Sequence, residues 1–450
     1  MSYKILSLDG GGTWALIQAS ILQDLYGDIN GHEILKKFDM VIANSGGSLV
    51  LAALCNNMKP SKIVAVFRNE SERGKIFSRL KFYERNLLSQ IRSLFKNFAV
   101  GSKYHTERKK QGLIEVLQQH DHRFQSGILP SIVKTPLSKL PKIIGKEDLQ
   151  LIIIGFDYFK ERVSFFRSNE KSKTDKFSSK FYDISLGDAI HASGNAPVNY
   201  FDEYAKVNMK HKVREEIKEE KINWYWDGAV AGFNNPVLAG LIEAMTNFED
   251  KPLNDFKILS IGTGQKGKAI IVDHKYSEGN FTINEIYEKN KNKPHVLSDD
   301  SRKFKLEIGK LAQSILSDPP DSATFIAYSI LNRQLQNNAH LVRINPCITP
   351  ELNKQTNEYI LPEVFRNEPE RFKSVLEMDM DATEDEQVDL IVEVVAKFIV
   401  NEEGRSCLPN QFIRGDSSDK FKLGHATYRE AKKRWKEIEA IMISTTITKN

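Results

Sequence analysis

The chain has 450 residues, 40% of them apolar and 27% charged, and a formal net charge of +5. This is the balance of a globular protein with at least one large core and room for two or three domains. The mild basic excess suits an anionic partner such as a membrane surface and is too weak to argue for a nucleic-acid polymer.

Three cysteines, Cys55, Cys347 and Cys407, lie far apart in no spacing that suggests a metal site. An odd, sparse set points to a reducing compartment. A first strand near Tyr3 leaves no room for a signal peptide, and no run of about 18 apolar residues is present to span a bilayer. The expectation is a cytoplasmic protein that touches membranes from outside.

Tyr3–Leu8 reads as a strand, and it runs into Asp9-Gly10-Gly11-Gly12-Thr13. Three adjacent glycines give a turn of bare N–H groups with no Cβ in the way, a cradle for an anion. The anion is either a nucleotide phosphate or the oxyanion of an acyl-transfer transition state. From Thr13 to Tyr26 the apolar residues Trp14, Ile17, Ile21 and Leu25 recur at helical spacing. A phosphate loop of the sugar-kinase type would continue into a second, alternating strand, so a helix here favours the oxyanion. The positive end of its dipole suits either anion.

Phe38–Ala43 is an apolar strand and Gly46–Cys55 a buried-helix pattern, with Ser45 at their junction. A nucleophilic serine on a tight strand-to-helix turn needs small residues two positions to either side. Ala43 and Gly47 stand there around Ser45. The same residues would also serve a plain helix cap. Phe67–Phe98 reads as helical and basic, with Arg68, Arg73, Arg79, Lys81 and Arg85 among its cations. It is a candidate lid or membrane-contacting element, and equally an amphipathic helix with a solvated basic face.

Leu149–Phe156 and Val163–Phe166 are further strands, while Lys171–Lys176, Lys206–Lys221 and Lys266–Asp300 read as solvated loops or insertions. Trp226-Asp227-Gly228-Ala229 follows a strand-like run, and Asn235-Pro236 opens a helix with proline in its first turn. Lys257–Ile261 is one more strand. Beyond about Pro346 the strand signal fades, and the chain closes with a basic amphipathic segment, Tyr428–Ile443. No internal repeat is present. Strands alternating with helices predict an α/β fold with a mostly parallel sheet.

Taken in order, "DGGGT" (Asp9–Thr13), "ANSGG" (Ala43–Gly47) and "DGA" (Asp227–Ala229) make the chain resemble the patatin-like phospholipases, which are calcium-independent lipid acyl hydrolases. Weaker blocks at Leu186–Phe201, Gly232–Ala244 and Ile258–Gly264 follow in the same order. The resemblance implies a three-layer α/β/α fold over residues 1–345 and a mainly helical extension over 346–450. It implies Ser45 as nucleophile, Asp227 as the base that takes its proton, and the amides of Gly10, Gly11 and Gly12 as the oxyanion hole. No cofactor and no metal are implied, and the substrate is a membrane phospholipid. Patatin-like effectors of similar length act in bacterial antiphage defence under cyclic-nucleotide control, so the resemblance extends to such an activator and to a homo-oligomer.

Two departures stand out. Ala43 replaces a usual glycine, and Trp14-Ala15 replaces a basic residue followed by glycine, so Trp14 is expected either to shape the acyl site or to alter the approach of the phosphate. None of the ten histidines matches a catalytic position, and His191 is read as structural. The alternatives are a patatin-like fold kept as a ligand-binding module, and an ATPase that uses the glycine turn for phosphate.

Overall fold

The computed structural model describes residues 2–81, 102–127, 130–169, 182–197, 200–213, 216–266, 280–282, 321–332, 340–348, 351–353, 358–362, 365, 368–400, 404–406 and 423–447. Its centre is one sheet of eight strands: β1 (Tyr3–Leu8), β2 (Met40–Asn44), β3 (Gln150–Asp157), β4 (Arg162–Arg167), β5 (Ala205–Val213), β6 (Glu216–Asp227), β7 (Phe256–Ile261) and β8 (Leu341–Ile344). Five of them run parallel in the order β8-β7-β1-β2-β3. These strands are apolar on both faces, as a parallel sheet with helices on both sides requires.

Ten helices matter to the argument. They are α1 (Leu16–Tyr26), α2 (Ser45–Cys55), α3 (Pro60–Arg68), α4 (Glu70–Ile76), α5 (Thr106–Gln119), α6 (Leu186–Ser193), α7 (Val237–Asn247), α8 (Pro369–Glu377), α9 (Asp385–Val400) and α10 (Tyr428–Ile447). One face of the sheet buries Leu6, Leu8, Val41 and Ile153 against α1, α2 and α6. The other buries Ile5, Ile42 and Ile258 beneath Val237 and Leu241 of α7. The result is the expected three-layer α/β/α arrangement. The glycine turn leads through a short 3-10 turn, Gly12–Ala15, directly into α1, so no second strand of a hairpin follows it.

The register of β3 decides where the chemistry sits. On one edge it carries β4, with Gly155 opposite Ser164. On its other edge β2 occupies the first half and ends with Asn44 opposite Ile154. The next position of that same edge is taken by β6, antiparallel, with Asp227 opposite Gly155. The end of β2 and the end of β6 therefore abut. Residues far apart in sequence meet there because one strand edge is shared between two partners.

The segment Lys206–Lys221, expected as a solvated loop, is instead the β5–β6 hairpin, paired from Ala205–Tyr225 to Val213–Glu216. Ala205 and Val207 are buried while Lys206 and Lys210 between and beyond them face outward. The outward charges masked a half-buried alternation. The expected loop Lys171–Lys176, most of the expected loop Lys266–Asp300 and residues 82–98 of the basic segment lie outside the described residues. Short strands also occur past Pro346, at Cys347–Ile348, Glu351–Asn353 and Glu358–Ile360.

The C-terminal helices are built into the first core. Phe372, Val375, Ile391, Val395 and Trp435 are buried in the same apolar cluster as Leu22 and Phe38. Trp435 is fully buried, stacks on Phe38 with ring centroids 6.1 Å apart, and donates its indole N–H to the Tyr26 hydroxyl at 2.7 Å. Trp435→Ala is expected to lower stability by about 3–5 kcal/mol, measured as a reduced midpoint of denaturant unfolding. A full-length protein with an unchanged midpoint would show that α10 is not part of the core.

Candidate active site

Ser45 is the first residue of α2 and takes φ +48°, a left-handed backbone rare for a side chain larger than glycine. Such strain persists only where the surroundings over-determine it. Here the Ser45 amide donates to the Ser193 hydroxyl at 2.8 Å, and that hydroxyl donates in turn to Asn44 Oδ1 at 3.4 Å. Gly47 permits the turn to press onto β1, since a Cβ there would lie 2.5 Å from the Leu8 carbonyl oxygen. Ala43, with its added methyl, is fully buried inside β2 without disturbing the ladder.

Asp227 lies beside Ser45 and is buried. Its Oδ1 accepts from Asn44 Nδ2 at 3.0 Å and from the Ala229 amide at 2.9 Å, so Oδ2 keeps its acceptor capacity. Burial pushes its proton affinity above the ordinary carboxylate range; hydrogen bonds from the Ser45 hydroxyl, Ala229 and Asn44, and the charge of Lys109, pull the other way. The net effect is a carboxylate that binds a proton more readily than one in water. That property suits a base facing a hydroxyl donor.

The glycine turn packs against this pair. A Cβ on Gly10 would come within 2.9 Å of Ser45 Cβ. The structure narrows the expected trio of amides, because Gly10 N–H already donates to the Asn234 carbonyl at 2.8 Å. The Gly11 and Gly12 amides donate to no acceptor among the described residues. The turn itself is held from below. Thr263 Oγ1 donates to the Gly10 carbonyl at 2.8 Å, and Arg343 clamps the buried Asp9 carboxylate through both terminal nitrogens. Asp9 and Arg343 are separated by most of the chain, and breaking such a buried pair costs about 3–5 kcal/mol.

A cavity of ≈ 40 Å³ opens beside Ser45, lined by Gly12, Leu49, Ile190 and Phe201 among others. It also receives Lys109, a fully buried lysine from α5 whose ammonium donates to the His191 carbonyl at 2.9 Å and Asn195 Oδ1 at 2.7 Å. Burial holds its pKa well below the usual lysine range. Asn195 in turn offers its carbonyl to the Asp227 amide at 3.0 Å. His191 is buried with neither ring nitrogen bonded, and burial and the nearby lysines keep it neutral.

Several of these residues escaped sequence reasoning. Lys109 stands at helical spacing with the buried Leu113 and Val116, and a lysine on an apolar stripe was the available signal. Asn44 and Ser193 adjoin named motifs, but nothing in their type announced a bridging role. Trp14 does not line the cavity as expected. It is buried, and its indole N–H donates to the Asp379 carbonyl at 3.1 Å. The described basic residues are docked as well: Arg68 pairs with Asp389 and Arg79 with Glu384, while Arg73 is buried and pairs with Asp385. Among the described residues no group of three or more His, Cys, Asp and Glu could hold a metal ion, and no helix is long and apolar enough to cross a membrane.

A family model described as patatin-like phospholipase matches residues 6–241, a span that contains the glycine turn, Ser45 and Asp227. No curated protein matches the chain. Among solved structures, VipD from Legionella pneumophila is similar over 88% of this chain and 67% of its own, at 12% identity and a TM-score of 0.29.

The raised proton affinity of Asp227 has a thermodynamic sign. The folded protein holds that proton more tightly than the unfolded chain, so ionising Asp227 costs folding free energy at neutral pH, and the cost vanishes as the pH falls below the unfolded value. Asp227→Asn keeps an acceptor for Asn44 and Ala229 without the charge. It is expected to melt at or above the wild-type temperature at pH 7 in scanning calorimetry. A marked drop would mean that the carboxylate is a structural anchor.

Proposed function

The chain belongs to the patatin-like phospholipase family, and from that premise we propose that it hydrolyses acyl esters of membrane phospholipids through Ser45 and Asp227. The observation that carries the reading is the strained Ser45 set against a buried carboxylate whose proton affinity is raised. A serine hydroxyl is a weak nucleophile until a neighbour takes its proton, and Asp227 is placed to do so.

In this reading Ser45 Oγ attacks the ester carbonyl while Asp227 accepts the hydroxyl proton. The carbonyl oxygen becomes an oxyanion and turns to the Gly11 and Gly12 amides, which gain a partner only at that stage. Such donors, fixed before charge develops, are worth about 10²–10³ in rate each. Collapse breaks the ester C–O bond, and Asp227 returns its proton to the departing alkoxide, leaving an acyl-serine. Water then attacks the acyl group, Asp227 takes its proton, and the fatty acid leaves as Ser45 is restored. None of these steps calls on a metal, and the resemblance to the family implies calcium independence.

The catalytic machinery falls in residues 1–345, and the extension at 346–450 governs access to it. Its contacts with Thr13 and Trp14 bring it against the glycine turn, which supports that control of access. Peripheral attachment to a membrane, and control by a cyclic nucleotide in antiphage defence, would both act through that access.

Ser45→Ala and Asp227→Ala are each expected to lower hydrolysis of a fluorogenic ester by on the order of 10⁴-fold with folding retained by circular dichroism. Activity surviving in both variants would refute the pair. The pH profile of kcat/KM should have an acidic limb set by Asp227. Rate falls as the pH drops through a pKa above the ordinary carboxylate range, because the protonated carboxyl cannot act as base. A limb at or below the ordinary value would assign the base elsewhere.

A further inference from the structure

Residues 378–384 join α8 to α9 and lie across the Ser45 cavity. Two backbone ties fix this strap to the glycine turn: the Thr13 amide donates to the Met380 carbonyl at 3.0 Å, and the Trp14 indole to the Asp379 carbonyl. A Cβ on Gly12 would meet the Met380 carbonyl oxygen at 2.4 Å, so the two segments are in direct contact. Met380 and Asp381 form part of the cavity wall beside Ser45. The remaining ≈ 40 Å³ is space for about three waters, at about 10–15 Å³ of such volume each. Met380 and Asp381 therefore narrow the space beside Ser45 that an ester with its acyl chain would use.

The strap's carboxylates are met one by one by donors. Asp381, 5% exposed, accepts from the Lys103 ammonium at 2.9 Å and from the Tyr104 hydroxyl. Asp379 accepts from Lys103 at 3.2 Å and from the Tyr200 hydroxyl at 2.6 Å. Arg79 and Glu384, both more than half exposed, add little, as surface pairs do. The buried end of the cluster carries the energy, and it adjoins the cavity through Tyr200 and Asp381.

We propose that Lys103, Tyr104 and Tyr200 are the binding site for a phosphodiester anion, held in the closed protein by the carboxylates of Asp379 and Asp381, so that a phosphate-bearing ligand opens the active site as it binds. A phosphodiester spreads one negative charge over two oxygens, as a carboxylate does, and can take over the same three donors. The exchange leaves Lys103 paired. A neutral glyceride entering the cavity would part the quarter-exposed Lys103 from its anions and leave the buried Tyr104 hydroxyl without its acceptor, which penalises it as unpaired buried polar groups do. That this phosphate arrives attached to a cleavable ester rests on the hydrolase reading; the anion site rests on the strap's contacts.

The test uses full-length Ser45→Ala protein, so its readout needs no turnover. Hydrogen exchange at the Thr13 amide and across residues 378–384 is followed with phosphatidylglycerol vesicles, with inorganic phosphate and with a triglyceride emulsion. Both segments are expected to exchange about tenfold faster with a phosphate source and at an unchanged rate with triglyceride. A response confined to vesicles assigns the site to a lipid headgroup, and a response to inorganic phosphate as well assigns it to phosphate however presented. No response to either phosphate source, or an equal response to triglyceride, overturns the proposal. Asp381→Asn in the same background loosens the strap and leaves the donors intact, so it should lower the vesicle concentration needed by about fivefold; an unchanged requirement also overturns it. If the wild type cleaves no ester while these exchange responses appear, the hydrolase reading fails and the anion site stands.

Discussion

The single edge of β3 that is shared between β2 and β6 governs the site. β2 leaves that edge at Asn44, opposite Ile154, and β6 takes it up at Asp227, opposite Gly155. Ser45 at the start of a helix and Asp227 at the end of a strand become neighbours because main-chain hydrogen bonding sets both strand ends on that edge. Side chains then refine the placement: Asn44 holds the carboxylate and Ser193 holds the serine amide. A slip of one residue in β6 would turn Asp227 to the opposite face of the sheet, so the register also sets Asp227 beside Ser45.

Around that junction the protein keeps three kinds of buried charge, each resolved differently. Asp9 is paired in bidentate fashion with Arg343, which satisfies both groups and fastens β8 to the glycine turn. Lys109 donates to a carbonyl and an amide oxygen, feels the charge of Asp227, and stands over the Phe201 ring at 4.2 Å. Burial raises the proton affinity of Asp227, as it does that of Asp9, and the hydrogen-bond donors at Asp227 are neutral: Asn44, Ala229 and the Ser45 hydroxyl. Burial disfavours the ion in all three. Only at Asp227 does the unresolved part face a hydroxyl that can supply a proton.

The sequence made much of this legible. Three motifs named the elbow, the base and the glycine turn, because each demands small residues at fixed spacing and such demands survive in the letters themselves. The helical period after Thr13 separated a turn into a helix from a hairpin. What escaped was set by distance. Nothing local to Arg343 announces Asp9, and nothing local to Met380 announces Thr13, since these contacts exist only once the sheet has closed. The β5–β6 hairpin escaped for a different reason: charged residues on its outward face diluted the alternation of Ala205 and Val207. Trp14 was rightly singled out as unusual, yet its partner is a main-chain carbonyl of the C-terminal segment rather than an acyl chain.

The placement of the strap between α8 and α9 has an effect beyond access. The residues on either side of it, Phe372 and Val375 before and Ile391 and Val395 after, belong to the same core as the sheet. A protease that removes the cover therefore removes part of the foundation. Cover and scaffold share one segment here, so loss of the strap with its flanking helices is expected to cost stability as well as cover.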